Sequence, residues 1–160
     1  MPELQHSNGE HPHSDSGQLV LFFIFLAVWV VDSFFLRFST FPADGVPLLT
    51  RLVLAAALLV AAILLVRAGH TVIGHDDEQR GLVTTGAFRY VRHPLYLGSM
   101  LFYLGLLLAT FSLASLGVFV VIVIFYNHIA GYEERLLEER FGEEYARYRE
   151  RSGRWLPGVG

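Results

Sequence analysis

The 160-residue chain contains no cysteine and no lysine. Without cysteine there is no disulfide, no thiolate metal site and no thiol nucleophile. Without lysine there is no Schiff-base chemistry, and all twelve basic residues are arginines. A basic surplus is missing too: the net charge is −3, so no positive field points to nucleic acid. Residues 1–17 carry Glu3, Glu10 and Asp15 but no arginine, whereas a secretory signal begins with a basic region. This stretch, with Pro2, Gly9, Pro12 and Gly17, is expected to be a disordered polar tail. Its His6, His11 and His13 are spaced too irregularly for a metal site, and no metal is expected in the protein.

What the chain has in abundance is apolar side chains, 53% of all residues. They come in runs rather than in the periodic pattern of a soluble domain. The first run, Leu19 to Leu36, is near the length needed to span a bilayer. Its Asp32 lies close to one end and is expected to reach the interface. Pro42, Asp44-Gly45 and Pro47 mark a turn, and Val46 to Val66 forms the second run. From Arg67 to His93 the chain is polar, and Gly69, Gly74, Gly81 and Gly86 interrupt any helical period, so a long loop is expected.

Leu95 to Ala130 contains no charged residue. A single helix of that length would run about 54 Å, against about 30 Å for a bilayer core. The segment must therefore fold into a hairpin of two spans, with the break expected at Ser112 to Gly117. After it, Leu137, Phe141, Tyr145 and Tyr148 recur at helical spacing from Glu133 to Arg151, which predicts an amphipathic helix lying on the membrane surface or over a pocket mouth. The expected fold is thus all-α: an integral membrane protein with four transmembrane helices and a C-terminal interfacial helix, over residues 18–157. Ten arginines fall on one side of such a topology and two, Arg37 and Arg51, on the other. The positive-inside rule places the loop, the C-terminal helix and both termini in the cytoplasm of a multi-pass cell-membrane protein.

Three polar elements then gather at one face. Arg92-His93-Pro94-Leu95-Tyr96 opens the third span, with Pro94 suited to a first helical turn whose N–H groups favour an electron-rich ligand. Interfacial arginine, histidine and tyrosine explain the same residues without a ligand. Gly98, Gly105 and Ser112 recur every seven residues, a stripe that helix packing accounts for. Glu133-Glu134 follows the last span, Glu133 on the face of Tyr126 and Ala130, Glu134 on that of Asn127 and Gly131. A carboxylate there suits ribose hydroxyls or an ammonium group, although acid pairs are common at helix exits.

Taken together, Leu82-Val83-Thr84-Thr85-Gly86-Ala87-Phe88-Arg89-Tyr90-Val91-Arg92-His93-Pro94-Leu95-Tyr96-Leu97-Gly98 closely resembles the signature of the isoprenylcysteine carboxyl methyltransferase family. Glu133-Glu134-Arg135-Leu136-Leu137 and Phe141-Gly142-Glu143-Glu144-Tyr145, through Tyr148 to Pro157, resemble its second signature. The phospholipid methyltransferases share these features more loosely. The resemblance covers residues 67–157 and implies an S-adenosyl-L-methionine pocket on the cytoplasmic face, reached by a lipid-like or prenylated acceptor (a carboxylate, or a lipid amine) from the bilayer. Carried over by position, it implies cofactor contacts from Arg80, Gly81, Leu82 and Val83, then Phe88, His93, Pro94, Leu95 and Tyr96, and then Glu133. Asn127 and His128 are the candidate acceptor-side residues.

The chain departs from the family at two positions. Ala87 stands where many members have proline, and Ile129 stands where eukaryotic members have an arginine thought to face a substrate carboxylate. Methyl transfer to a carboxylate needs no general base, so no catalytic acid or base is assigned; an amine or hydroxyl acceptor would bring in His93 or His128. Two other classes share the helical layout: an NADPH-dependent membrane oxidoreductase like the steroid reductases, and a non-catalytic membrane module. The Glu-Glu and Phe-Gly-Glu-Glu-Tyr blocks favour the methyltransferase.

Overall fold

The computed structural model describes residues 14–76 and 81–158. The candidate tail histidines and Arg80 lie outside them. Every regular element is helical, and among the described residues no strand forms. Helix α1 is Ser14–Val30 and continues as a π-helical segment, Val31–Leu36. A 3-10 turn at Phe41–Gly45 leads to α2, Leu48–Asp76. A second 3-10 turn, Gly86–Arg89, precedes α3, Pro94–Thr110. Helix α4 is Leu113–Phe141 and α5 is Glu143–Arg151.

Among the described residues, three helical stretches are long and apolar enough to cross a membrane: Ser16–Leu36, Leu48–Thr71 and Leu113–Phe141. Helix α3 is equally apolar but has 17 residues. Only 11% of the most apolar window of α1, and of α2, is buried inside the protein. Their outer faces, with Phe23, Leu49 and Leu64 more than half exposed, need an apolar surrounding. Three to four apolar helices therefore fit a membrane protein.

The core between α1, α3 and α4 is aromatic. Phe25 meets Tyr103 edge-on at 4.8 Å, among Met100, Ile122 and Tyr126. Trp29 donates its indole N–H to the Leu106 carbonyl at 2.9 Å, tying α1 to α3. Helix α2 packs along α3 through glycine. A Cβ on Gly98 would come within 3.2 Å of the Ala62 carbonyl oxygen, and one on Gly105 within 3.3 Å of that of Ala55. Gly98 and Gly105 thus form a packing seam between α2 and α3, whereas Ser112, the third residue of the stripe, lies beyond α3 and bonds Asp32.

Four boundaries differ from expectation. Residues 14–17 belong to α1 rather than to the tail. Helix α2 does not stop at Val66 but runs to Asp76, straight through Gly69 and Gly74. Gly69 is buried there because α3 crosses it: a Cβ would sit 2.7 Å from Leu95 Cδ2. The hairpin break falls at Phe111, in the left-handed region (φ 53°), with Ser112 capping α4 by accepting from the Ser115 N–H. Gly117 is inside α4, so the break is shorter and earlier than its small residues imply. The expected single helix from Glu133 to Arg151 is two helices: α4 extends to Phe141 and ends at Gly142 (φ +50°), whose N–H reaches the Glu138 carbonyl at 2.9 Å.

Asp32 departs most from its expected place. It is 4% exposed, not at an interface. One carboxylate oxygen accepts the Ser39 N–H at 3.0 Å, and the other accepts the hydroxyls of Ser39 and Ser112. Ser39 in turn takes up the first free N–H groups of α4: its carbonyl accepts from Leu113 and its hydroxyl oxygen from Ala114. Asp32 thus fixes the α1–α2 connection against the α3–α4 turn. Asp32→Ala removes the acceptor of three donors, of which only the Ser112 hydroxyl has another oxygen in reach, that of Ser115, and is expected to cost about 2–3 kcal/mol in detergent-solubilised thermal unfolding. Asp44→Ala, at an exposed acid of the same connection, should leave the melting curve unchanged.

Candidate functional site

At the opposite end of the bundle the chain crosses itself. Val91 and Gly153 form an isolated parallel bridge, with Arg92 N–H donating to the Gly153 carbonyl at 2.8 Å and Gly153 N–H to the Tyr90 carbonyl at 3.2 Å. This lays the segment after α5 across the start of α3. Pro94 occupies the first turn of α3, fully buried, and so delivers His93 and Tyr96 to the bundle side of the crossing.

Glu134 is the anchor beneath it, 6% exposed on α4. Arg92 Nε donates to its Oε1 at 3.0 Å, Arg154 Nε donates to the same oxygen at 3.0 Å, and Arg154 Nη2 donates to Oε2. Arg92 is itself buried and also donates to the carbonyls of Arg149 and Ser152. One carboxylate therefore joins the α3 start, α4 and the C-terminal segment. Arg154 donates further to Asn127 Oδ1 at 3.2 Å, and its hydrogen bonds to Glu134 push its pKa above the ordinary arginine value.

His93 stands between the two neighbouring acids. Its Nε2 is 3.3 Å from Glu134 Oε1 and its Nδ1 is 3.5 Å from Glu133 Oε2. Burial opposes the charged imidazolium, but the hydrogen bonds to Glu133 and Glu134 outweigh it and raise the pKa above the ordinary histidine value. The Tyr96 hydroxyl donates to the other oxygen of Glu133. The His93 ring stacks on Tyr96 (5.7 Å, 8°) and Tyr96 on Tyr126 (5.1 Å, 20°), while Trp155 leans on His93 from the C-terminal side. The result is an aromatic wall ending in a partly accessible carboxylate, Glu133, whose side chain is 18% exposed.

Three of the residues implied as cofactor contacts, His93, Tyr96 and Glu133, thus converge. Pro94 and Leu95 serve to seat α3, Leu95 against Gly69. Gly81, Leu82 and Val83 lie on the approach to the Gly86–Arg89 turn, with Leu82 and Val83 half-buried. The Phe88 carbonyl accepts the Tyr148 hydroxyl at 2.7 Å, tying that turn to α5. Asn127 is taken up by Arg154 and Trp155, and His128 is exposed on α4. Ile129, at the position where an arginine is absent, is 2% exposed.

The Arg92–Glu134–Arg154 knot is not among the features expected from sequence. Arg92 stood inside the quoted signature and Glu134 beside the favoured acid, but Arg154 lies 20 residues from its partner with no periodic link to it.

Comparison with known proteins now decides the family. The model of the phospholipid methyltransferase family matches residues 49–144, more than half of the chain, including His93, Tyr96, Glu133 and Glu134 but not the C-terminal segment that crosses them. The chain belongs to that family. Among curated relatives, this methyltransferase-family chain is 33% identical over 91 residues to protein-S-isoprenylcysteine O-methyltransferase A of Arabidopsis thaliana, covering 56% of the chain and 46% of the relative. It is 33% identical over 90 residues to the protein-S-isoprenylcysteine O-methyltransferase of Schizosaccharomyces pombe, covering 55% and 38%. An uncharacterised protein of Haemophilus influenzae is 44% identical over 45 residues, 28% of this chain and 71% of that one. The chain spans about half the length, or less, of the isoprenylcysteine methyltransferases it matches. No solved structure matches it.

The raised His93 pKa gives a signed pH dependence. The stabilisation from charged His93 is fully present below the unfolded value, near 6.5, and is lost as pH rises through the higher folded value. The stability gap between the natural protein and His93→Gln should therefore be widest in mild acid and shrink as pH rises past neutrality, as followed by thermal melts across that range. A gap that does not change with pH would remove the charged histidine from the account.

Proposed function

We propose that the protein is an S-adenosyl-L-methionine-dependent methyltransferase acting on a lipid-like or prenylated acceptor at the cytoplasmic membrane face. The observation that carries this reading is the convergence of His93, Tyr96 and Glu133 within a phospholipid methyltransferase domain. The matched relatives named as isoprenylcysteine O-methyltransferases support the methyl-transfer class. In this reading α3 is the third of four spans, the arginine-rich end faces the cytoplasm, and both termini lie there.

The residues present suit the methyl donor. Glu133 has acceptor capacity beyond its contacts with Tyr96 and His93, which fits ribose hydroxyls. Tyr96, half-buried and backed by the buried Tyr126, places an aromatic ring beside it, suited to an adenine ring or a sulfonium cation. Segment 80–83, Phe88 and the first turn of α3 would complete the binding shell. When bound, S-adenosyl-L-methionine supplies an electrophilic methyl group on sulfur. What the protein contributes is alignment and exclusion of water, which the Trp155–His93 contact and the Arg154–Glu134 pair provide by closing the C-terminal segment over the site. Neither task needs a dedicated proton carrier for a carboxylate acceptor. The acceptor side falls to Asn127, His128 and the buried Ile129, and an isoleucine there gives no counter-charge to an anionic acceptor.

Purified protein in detergent should bind S-adenosyl-L-methionine in a calorimeter and should not bind NADPH. Glu133→Gln, removing charge-assisted bonds, should weaken donor binding roughly thirtyfold, about 2 kcal/mol. Native membranes given methyl-labelled donor should place label in an extractable lipid or prenylated fraction. Binding of NADPH without S-adenosyl-L-methionine would overturn the proposal in favour of the reductase class.

A further inference from the structure

A concave feature lies beside α5 and shares no residue with the His93–Tyr96–Glu133 set. It is a cavity of about 430 Å³ lined by Thr84, Arg89, Tyr90, Tyr148 and Arg151. Two arginines, both exposed, therefore line one space. Among the described residues neither makes an ion pair. Arg151 donates Nε to the Arg147 carbonyl of its own helix, and Arg89 rests over the Tyr90 ring at 5.9 Å. Two like charges beside one cavity repel each other unless an anion lies between them. The guanidinium fork matches the oxygens of such an anion in pairs.

The rest of the lining is built and not merely incidental. Tyr148 is 5% exposed, and its hydroxyl is fixed on the Phe88 carbonyl, which holds the 3-10 turn carrying Arg89 against the helix carrying Arg151. Burial raises the Tyr148 pKa, so the phenol stays a neutral wall beside the two cations. Thr84 adds a hydroxyl. The volume is that of a small-molecule site, ample for a headgroup.

Location selects among anions. The apolar stretch of α2 ends at Thr71, and the cavity lies on the segment that follows it and on α5, at the arginine-rich end of the bundle. Tyr90 is 58% exposed at its rim, an aromatic placed as residues at the headgroup layer are. Arginines at that level attract acidic phospholipid. We infer that the Arg89–Arg151 cavity seats the phosphate of an anionic phospholipid headgroup and docks the 84–90 turn and α5 onto the membrane. This site does not depend on which methyl donor or acceptor the protein uses. Free phosphate presents the same chemistry, and the two sources separate by experiment.

The test uses the full chain, purified and placed in nanodiscs of phosphatidylcholine with or without phosphatidylglycerol. Native mass spectrometry of protein released from them should show retained phosphatidylglycerol in preference to phosphatidylcholine. The double substitution Arg89→Gln with Arg151→Gln should reduce that preference about tenfold or more, given two lost cation contacts at the surface. Arg89→Lys with Arg151→Lys, which keeps the charge but not the fork, should retain part of it, and a thermal melt of the glutamine variant that matches the natural protein shows that its loss of the preference is not misfolding. Arg135→Gln, exposed on α4 away from the cavity, should leave it intact. Equal retention of the two lipids, or an unchanged preference in the glutamine variant, overturns the inference. So does displacement of phosphatidylglycerol by inorganic phosphate at equal concentration, which would make the seat one for a soluble anion.

Discussion

A single buried carboxylate, Glu134, holds the arginine-rich end of this protein together. It accepts from Arg92 at the start of α3 and from Arg154 beyond α5, and it faces His93. A carboxylate this far from solvent is costly unless fully paired, and an arginine as buried as Arg92 is equally costly alone. Each group is tolerable only in the presence of the others, so the three segments that carry them must come together or not at all. Everything proposed for the site follows from that closure. The C-terminal segment lies across His93, the His93 ring orders Tyr96 by stacking, and Glu133 is presented one residue along the helix from its buried neighbour. The adjacent acids differ: Glu134 is buried and spent on structure, and Glu133, the more accessible, is the one proposed to meet a ligand.

The other end of the bundle is built on the same principle with different partners. Asp32 is buried among hydroxyls and a backbone N–H instead of guanidinium groups, and it ties a loop to a helix cap. Between the two polar ends the protein is an aromatic core packed around glycine seams, with its outer faces left apolar. Such a body has little internal apolar reserve: much of its hydrophobic surface faces outward and the membrane must cover it. The polar knots at the ends therefore carry much of the specificity of how the helices meet.

Much of this was legible in the sequence because apolar runs and signature residues are local signals. The hairpin in Leu95–Ala130 followed from length alone, and the glycine stripe from spacing. The convergence of His93, Tyr96 and Glu133 rested on resemblance, since each residue singly suits an ordinary helix start or exit. What could not be read is what depends on contact across the chain. Asp32 looked interfacial because nothing local announces that Ser39 and Ser112 would surround it. Glu134 and Arg154 are charged residues in a charged segment, and only folding pairs Glu134 with Arg154 rather than with Arg147, Arg149 or Arg151. Gly69 and Gly74 looked like breakers, yet Gly69 is where α3 crosses α2. Gly142, the true break, was hidden inside a continuous amphipathic pattern.

The central claim is that Glu134 closes the C-terminal segment onto the start of α3. Hydrogen–deuterium exchange on the solubilised protein, natural and Glu134→Gln, measures that closure without reference to any ligand. Backbone amides at 91–93 and 152–155 should lose protection together in the variant, while those within α3 and α4 at 100–125 keep theirs. Unchanged protection across the Val91–Gly153 bridge would contradict the account, because the crossing would then stand without the carboxylate said to hold it.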